Sequence, residues 1–147
     1  MIDKLRSAIV LAGVLVSANA AALEFKSVAE PAAILYDAPS AKAQKIFVLS
    51  QGYPVEIVVK LEGWTKVRDD TGEFAWIENN RLSERRTVMV KTSSVEARQA
   101  ANDSSPVAFT AEKGVFLELV DTAAGWARVR HNEGATGFIK VSQLWGL

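Results

Sequence analysis

One block of sequence occurs twice in this chain, and the repeat constrains the fold more than any other feature. The first copy contains Gly63–Arg68 (GWTKVR) and the second contains Gly125–Arg130 (GWARVR), 62 residues later and aligned without a gap. Further identities at the same offset are Gly52/Gly114, Glu56/Glu118, Gly72/Gly134, Ile77/Ile139 and Leu82/Leu144. The sequence therefore predicts a tandem repeat of one small domain.

The repeat sets the domain boundaries. We place the first domain at residues 30–90 and the second at residues 91–147, with Arg86–Val90 as a strand that joins the copies. Domains of roughly 60 residues bury only about 60% of their unfolded surface and are marginally stable alone. The chain contains no cysteine, so no disulfide can add stability. We therefore expect the copies to pack on each other or to share the joining strand.

Residues 1–22 have the features of a secretory signal peptide. Lys4 and Arg6 precede the apolar run Ala8–Ala18, and Ala20 and Ala22 offer the small residues that a signal peptidase requires. A membrane-spanning helix needs about 20 apolar residues, and this run is shorter. Without cysteine, a lipid anchor on a terminal cysteine is not expected. We expect a periplasmic or secreted protein that has no membrane span after cleavage.

The charge balance and the residue content argue against several classes of function. Lysine plus arginine and aspartate plus glutamate number 17 each, so no basic face for nucleic acid is expected. His131 is the single histidine, and without cysteine or a second histidine it predicts no metal site. Asp70–Gly72 has the Asp-Thr-Gly sequence of aspartic proteases, but aspartic-protease catalysis needs two carboxylates that share a proton. The second copy has Asn132–Gly134 there, so we expect no enzyme and no cofactor.

Short apolar runs separated by turn residues predict an all-β fold made of small barrels. Val55–Lys60 is rich in β-branched residues and short enough for a strand. Asp69–Gly72 is predicted as a hairpin turn, with Gly72 free to take a positive backbone angle. Asn79–Leu82 suits one tight helical turn, with its leucine folding back on the core. Leu23–Pro31 is predicted as a loose lead-in.

The order of these elements resembles the bacterial SH3 (SH3b) domain. The features that carry the resemblance are Gly-x-x-Val-Glu-Ile at Gly52–Ile57, Gly-Trp and basic-Val-Arg at Gly63–Arg68, and small-aromatic-Ile at Ala75–Ile77. The segment Leu82–Val90 is similar to one that follows the domain in exported members. The resemblance implies two tandem, partly open barrels of five or six strands and a cell-envelope location. In many members it implies binding to peptidoglycan or its peptides.

Two positions depart from the pattern of that family. Its first strand often has Asn-hydrophobic-Arg, where this chain has Ile34–Tyr36 in one copy and Glu96–Arg98 in the other. Only the arginine at position 98 matches. The glycine that precedes the second aromatic is Ala75 in the first copy and Gly137 in the second. At these positions the two copies therefore differ from the family pattern and from each other.

The tryptophans Trp64 and Trp126 have two interpretations. An aromatic face offers a stacking surface for a peptide or sugar, whereas in so small a barrel a tryptophan also fits in or beside the core. We favour packing for both. Trp145, near the end of the chain, is predicted to cover the bottom of the barrel.

The ligand site is predicted among other side chains. Strand alternation sends Trp76 and Phe138 to the face opposite their core-type neighbours. With the loop-edge aromatics Tyr36 and Phe74 and the basic Arg98, they are the candidate ligand-binding residues. We expect a non-catalytic envelope module that recognises peptidoglycan or an extended peptide. The alternative is an adaptor that holds an envelope enzyme or assembly factor.

Overall fold

The structure, a computed structural model, describes residues 22–147. All but the last residue of the predicted signal peptide lies outside this range. The described residues form fourteen strands and two single 3-10 turns, arranged in two seven-stranded antiparallel sheets. The predicted all-β fold of two tandem SH3-like units is confirmed. Within residues 22–147, no helix has the length and apolar character to cross a membrane.

The first sheet is built entirely from the first copy. Its strands are β1 (Phe25–Val28), β2 (Ala32–Tyr36), β3 (Lys45–Ser50), β4 (Pro54–Lys60), β5 (Trp64–Arg68), β6 (Phe74–Glu78) and β7 (Leu82–Ser83). They lie in the order β3-β2-β6-β5-β4-β1-β7. The predicted tight turn is present as a 3-10 turn at Asn79–Arg81, and Leu82 packs against the core as expected.

The second sheet repeats this arrangement. Its strands are β8 (Thr87–Val90), β9 (Ser94–Arg98), β10 (Val107–Glu112), β11 (Phe116–Ala123), β12 (Trp126–Arg130), β13 (Thr136–Lys140) and β14 (Leu144–Trp145). Their order is β10-β9-β13-β12-β11-β8-β14, and a 3-10 turn at Val141–Gln143 precedes the last strand. Each strand therefore occupies the same place in its sheet as its counterpart in the first copy.

Two local predictions differ from the structure. The expected lead-in Leu23–Pro31 contains β1, which pairs with both β4 and β7 and buries Phe25 and Val28. Its counterpart β8 is part of the predicted joining strand, which we placed within the first domain, but it belongs to the second sheet. Both strands have only four residues, and β8 is buried throughout. Neither shows the in-out alternation that marks a longer strand in a sequence.

Strand alternation divides each sheet into a core face and an outer face. In β5 and β6, Thr65, Val67, Ala75 and Ile77 are buried, while the residues between them are at least partly exposed. The first core cluster is Val28, Ala33, Leu35, Val55, Val67, Ala75 and Ile77. The second is Val88, Val90, Val95, Ala97, Ala111, Leu117, Ala127, Val129, Ile139 and Leu144. Each copy thus has its own small core.

The hairpin between β5 and β6 is a turn organised by Asp69. Its Oδ1 accepts hydrogen bonds from the backbone N–H of Thr71 at 2.9 Å and of Glu73 at 3.0 Å. Gly72 has the predicted positive φ, 90°. The Asp70 carboxylate accepts a hydrogen bond from the Tyr53 hydroxyl. The protease-like triplet therefore has a local structural explanation.

The equivalent positions Ala75 and Gly137 are not interchangeable. A Cβ added at Gly137 would lie 2.8 Å from the Ala97 Cβ and 3.2 Å from the Arg98 carbonyl oxygen. We expect Gly137→Ala to lower the free energy of unfolding by about 1–3 kcal/mol, as overpacking typically does. Chemical denaturation measures the change. The control Ala75→Gly should cost about 0.5–1 kcal/mol, and stabilisation by Gly137→Ala would contradict the expectation.

The two copies pack on each other through aromatic side chains. The Trp145 ring meets Phe25 edge-on at 5.2 Å between centroids, and Tyr53 meets Phe116 at 5.7 Å. The indole N–H of Trp145 donates to the Pro54 carbonyl at 2.8 Å. Trp145 therefore joins the copies rather than covering its own barrel. This packing is one of the two arrangements that the size of the copies predicted.

Polar contacts cross the same interface. The Thr87 hydroxyl donates to the Gly52 carbonyl at 2.6 Å, and Arg85 forms a 3.0 Å ion pair with Glu118. Burial, and then the hydrogen bond to Asp70, raise the pKa of Tyr53 above its usual value. The Tyr53 phenol therefore stays protonated, and able to donate, across the neutral pH range.

Candidate functional site

The residues that face away from the first core form one continuous surface, which we call the outer face. In register across β5 and β6, Trp64 lies opposite Glu78, Lys66 opposite Trp76, and Arg68 opposite Phe74. Tyr36 of β2 lies opposite Trp76 on the other side of β6. The outer face therefore consists of Tyr36, Trp64, Lys66, Arg68, Phe74, Trp76 and Glu78. Three of the predicted ligand residues, Tyr36, Phe74 and Trp76, are together on it.

Tyr36 and Trp64 form the packed part of the outer face. Their rings meet edge-on, with centroids 5.3 Å apart and planes at 87°. Such pairs contribute about 0.5–1.5 kcal/mol beyond the area that they bury. Tyr36 is only 8% exposed, whereas Trp64 is half-buried and is not part of the core cluster. The expected half-buried packing of Trp64 is present, and its partner is a tyrosine on the outer face.

Phe74 and Trp76 are the accessible part of the outer face. Phe74 is 50% exposed, and the Lys66 ammonium lies 5.2 Å from the centroid of its ring. Trp76 is half-buried between Lys66 and Tyr36 in the neighbouring strands. Because Phe74 and Trp76 are two residues apart on one strand, both side chains project from the same side of the sheet. They offer adjacent aromatic surface to a ligand that lies along β6.

Two hollows adjoin the Tyr36–Trp64 pair. One, of about 100 Å³, is lined by Ala32, Ile34, Tyr36, Glu78 and Arg81. The other, of about 590 Å³, is lined by Pro39, Ser40, Ala41, Gly63, Trp64, Glu78, Asn79 and Asn80. Glu78 lines both hollows, and the guanidinium of Arg81 lies 3.5 Å from the Glu30 carboxylate. The first copy thus combines aromatic surface with a carboxylate that can accept hydrogen bonds.

The second copy carries different chemistry at the same positions. Arg98 replaces Tyr36, Phe138 replaces Trp76, and Lys140 replaces Glu78. Phe138 and Arg98 lie opposite each other, as their counterparts do. A groove of about 360 Å³ is lined by Ser94, Val95, Glu96, Arg98, Asp103, Trp126, Lys140 and Gln143. The positions that form an aromatic and hydrogen-bonding surface in the first copy therefore form a largely ionic groove in the second.

The charges in this second groove are paired within the chain. Arg98 forms an ion pair with Glu96 and donates to the Ser105 carbonyl at 3.1 Å. The Lys140 ammonium lies 2.8 Å from the Asp103 carboxylate and 5.7 Å from the centroid of the Trp126 ring. A ligand would have to displace these contacts. The predicted site residues therefore lie in two separate places, and the first copy offers the more open one.

Sequence reasoning missed part of the site. Trp64 directly precedes the buried Thr65, as Trp76 directly precedes the buried Ile77, so alternation alone could have placed it on the outer face. Glu78 and Lys140 belong to no motif that would mark them as site residues. Only the alignment of the two copies shows that they occupy equivalent positions with opposite charges. His131, the single histidine, packs against Phe109 with ring centroids 5.7 Å apart. Among residues 22–147, no cluster of metal-ligating side chains is present.

Comparison with known proteins finds one family. The model of the bacterial SH3 domain matches the chain twice, at residues 29–84 and 91–146. A search of curated proteins gave no match.

Solved structures with a similar arrangement include NlpC2 from Trichomonas vaginalis, at 16% identity and a TM-score of 0.37, covering 84% of this chain and 48% of that one. NlpC1 from Trichomonas vaginalis matches at 16% identity and a TM-score of 0.37, covering 90% of this chain and 49% of that one. An NlpC/P60 family protein from Bacillus cereus ATCC 10987 matches at 13% identity and a TM-score of 0.39, covering 83% of this chain and 56% of that one. This chain thus spans about half the length of those proteins.

Proposed function

Because the chain belongs to the bacterial SH3 domain family, we propose that it is a non-catalytic cell-envelope module that binds peptidoglycan or an extended peptide. Bacterial SH3 domains are generally cell-wall-binding modules. The observation that carries the proposal is the outer face of the first copy, where Trp64, Phe74 and Trp76 offer aromatic surface outside the core. Tyr36 packs edge-on against Trp64 within this surface.

The chemistry of the outer face suits a peptide or a glycan. Aromatic rings supply contact area at low entropic cost and stack on apolar ligand surfaces. Glu78 can accept hydrogen bonds from the N–H or O–H groups of the ligand. In the second copy Arg98 and Lys140 are held by ion pairs, so Arg98 and Phe138 form the weaker of the two sites.

A second candidate function is an adaptor for an envelope protein. Its support is the exposed apolar group Val58, Val59 and Leu61 at the end of β4, because exposed apolar patches often mark protein interfaces. Co-sedimentation with purified peptidoglycan sacculi, beside crosslinking in a protein lysate, separates the two functions. The proposal expects capture by sacculi. Lysate crosslinks to one protein without sacculus capture would favour the adaptor.

We propose export to the periplasm or the medium. The motive is the predicted signal peptide, with its basic start, apolar run and small residues at Ala20 and Ala22. The mature protein is expected to begin at Ala21 or Leu23, which intact-mass measurement of the native protein determines. Retention of Met1 together with membrane partitioning would contradict export.

A further inference from the structure

The strand β3 is an open edge of the first sheet. It comes first in the strand order, and within residues 22–147 its only strand partner is β2. An edge strand presents a row of unpaired backbone N–H and C=O groups, which can pair with a strand of another chain. Soluble proteins usually protect such edges with charged residues, proline or bulges.

The strand β3 has a bulge at Ile46, but its side chains give this edge little protection. Ile46 and Phe47 are each 37% exposed and Val48 is 66% exposed. The one charged residue, Lys45, stands at the start of the strand. Three consecutive large apolar residues are therefore accessible on an edge that can still form hydrogen bonds.

The second copy shows that the fold does not require this composition. The strand β10 occupies the same edge and spans the equivalent six residues. At the positions of Ile46 and Val48 it has Ala108 and Thr110. Between them, Phe109 is half-buried and packs against the ring of His131, with centroids 5.7 Å apart. The apolar edge is thus particular to β3.

We propose that β3 pairs with β3 of a second copy of this chain, antiparallel and around a two-fold axis at Val48. A two-fold axis perpendicular to the sheet brings residues of the same face opposite each other. Val48 then faces Val48 and Phe47 faces Leu49, and the bulge at Ile46 lies outside these central pairs. No like charges oppose each other, and the central pairs are apolar, which stabilises antiparallel strands.

The alternative partner for this edge is β10 of another copy. Pairing β3 with β10 with the same faces aligned would set Val48 against Ala108 and Ile46 against Thr110. Val48–Ala108 buries less apolar area than Val48–Val48, and Phe109, which this register sets against Phe47, already packs against His131. That contact is also heterologous, so it would build rings or filaments rather than a two-fold dimer. Self-complementarity therefore selects a closed dimer through β3.

The dimer has a consequence for the outer face. Val48 lies opposite Ile34, which lines the hollow beside Tyr36. Pairing around Val48 therefore joins the outer faces of two molecules into one surface. If the proposed ligand binding holds, two linked sites raise the apparent affinity for a polymer without any new contact to it. The dimer itself does not depend on that binding.

A cysteine at the proposed axis tests the register directly, because the natural chain has none. Directly opposed residues of antiparallel strands have Cα atoms about 4.5–5.5 Å apart, within the roughly 4.4–6.8 Å that a disulfide spans. Under mild oxidation Val48→Cys should form a disulfide dimer. The matched control Thr110→Cys should stay largely uncrosslinked, and equal crosslinking of both would overturn the proposal.

Light scattering of the full mature chain is the second measurement. The wild type should have the mass of a dimer. Val48→Lys should be monomeric, because two ammonium groups would meet at the axis, while Thr110→Lys should stay dimeric. Both positions are exposed, so both variants should fold, and Val48→Lys should melt like the wild type diluted to its monomeric range. A wild type that is monomeric at all concentrations, or that forms a ladder of larger oligomers, would overturn the proposal.

Discussion

Replacing Trp145 with alanine is expected to lower the free energy of unfolding of the whole chain by about 3 kcal/mol or more. The substitution removes a half-buried indole that packs edge-on against Phe25 at 5.2 Å. It also leaves the Pro54 carbonyl without the 2.8 Å hydrogen bond that it accepts. A protein of this kind is stable by only about 5–15 kcal/mol. The loss therefore removes a large part of its stability.

The effect should reach both copies, because Trp145 belongs to the second copy and its partners belong to the first. We expect urea denaturation to show one transition in the wild type and a single, earlier transition in Trp145→Ala. Trp126→Ala is the matched control, since that tryptophan is half-buried on the corresponding face of the second copy and contacts Lys140 of the same copy. Two well-separated wild-type transitions, or an equal loss in the control, would contradict the coupling of the copies.

Trp76→Ala is expected to weaken capture by peptidoglycan sacculi about tenfold or more, because a central aromatic commonly carries much of the binding energy. Its effect on stability should be small, about 1 kcal/mol or less, since it loses cross-strand contacts on the outer face rather than core packing. Binding is measured by co-sedimentation at increasing sacculus concentration. The melting temperature of the same sample shows whether the fold is kept.

Phe138→Ala is the matched control for that experiment. It occupies the same position in the second copy, beside Arg98, where the charges are paired within the chain. We expect a smaller loss of binding than for Trp76→Ala. If both variants bind as the wild type does, the ligand contacts another part of the molecule. If Trp76→Ala melts as early as Trp145→Ala, Trp76 is structural.

The repeat predicted two copies of one domain, and the short apolar runs with the resemblance to the bacterial SH3 domain predicted the all-β fold. Glycines and polar residues at fixed offsets specify the hairpins, and Gly72 takes the positive φ that its position required. The sequence could not identify β1, because four residues are too few for a period-two signal. Nor could it place Trp145, because that side chain packs on the other copy and its environment depends on how the copies dock.

The candidate site was predictable only as far as strand alternation reaches. Alternation placed Trp76 outside the core, and the same rule applies to Trp64. The pairing of Lys140 with Asp103 was not predictable, since Asp103 lies in a loop whose path has no periodicity. The difference between an open first groove and an ion-paired second groove therefore required the structure.

The central claim, that the first copy carries the ligand site, is tested most directly by the indole N–H resonances of the four tryptophans. Each resonance can be assigned by single substitution and followed by nuclear magnetic resonance while soluble peptidoglycan fragments are added. The account predicts shifts for Trp64 and Trp76, with Trp126 and Trp145 unchanged or nearly so. Shifts confined to Trp126 or Trp145, or no shift at saturating fragment, would contradict it.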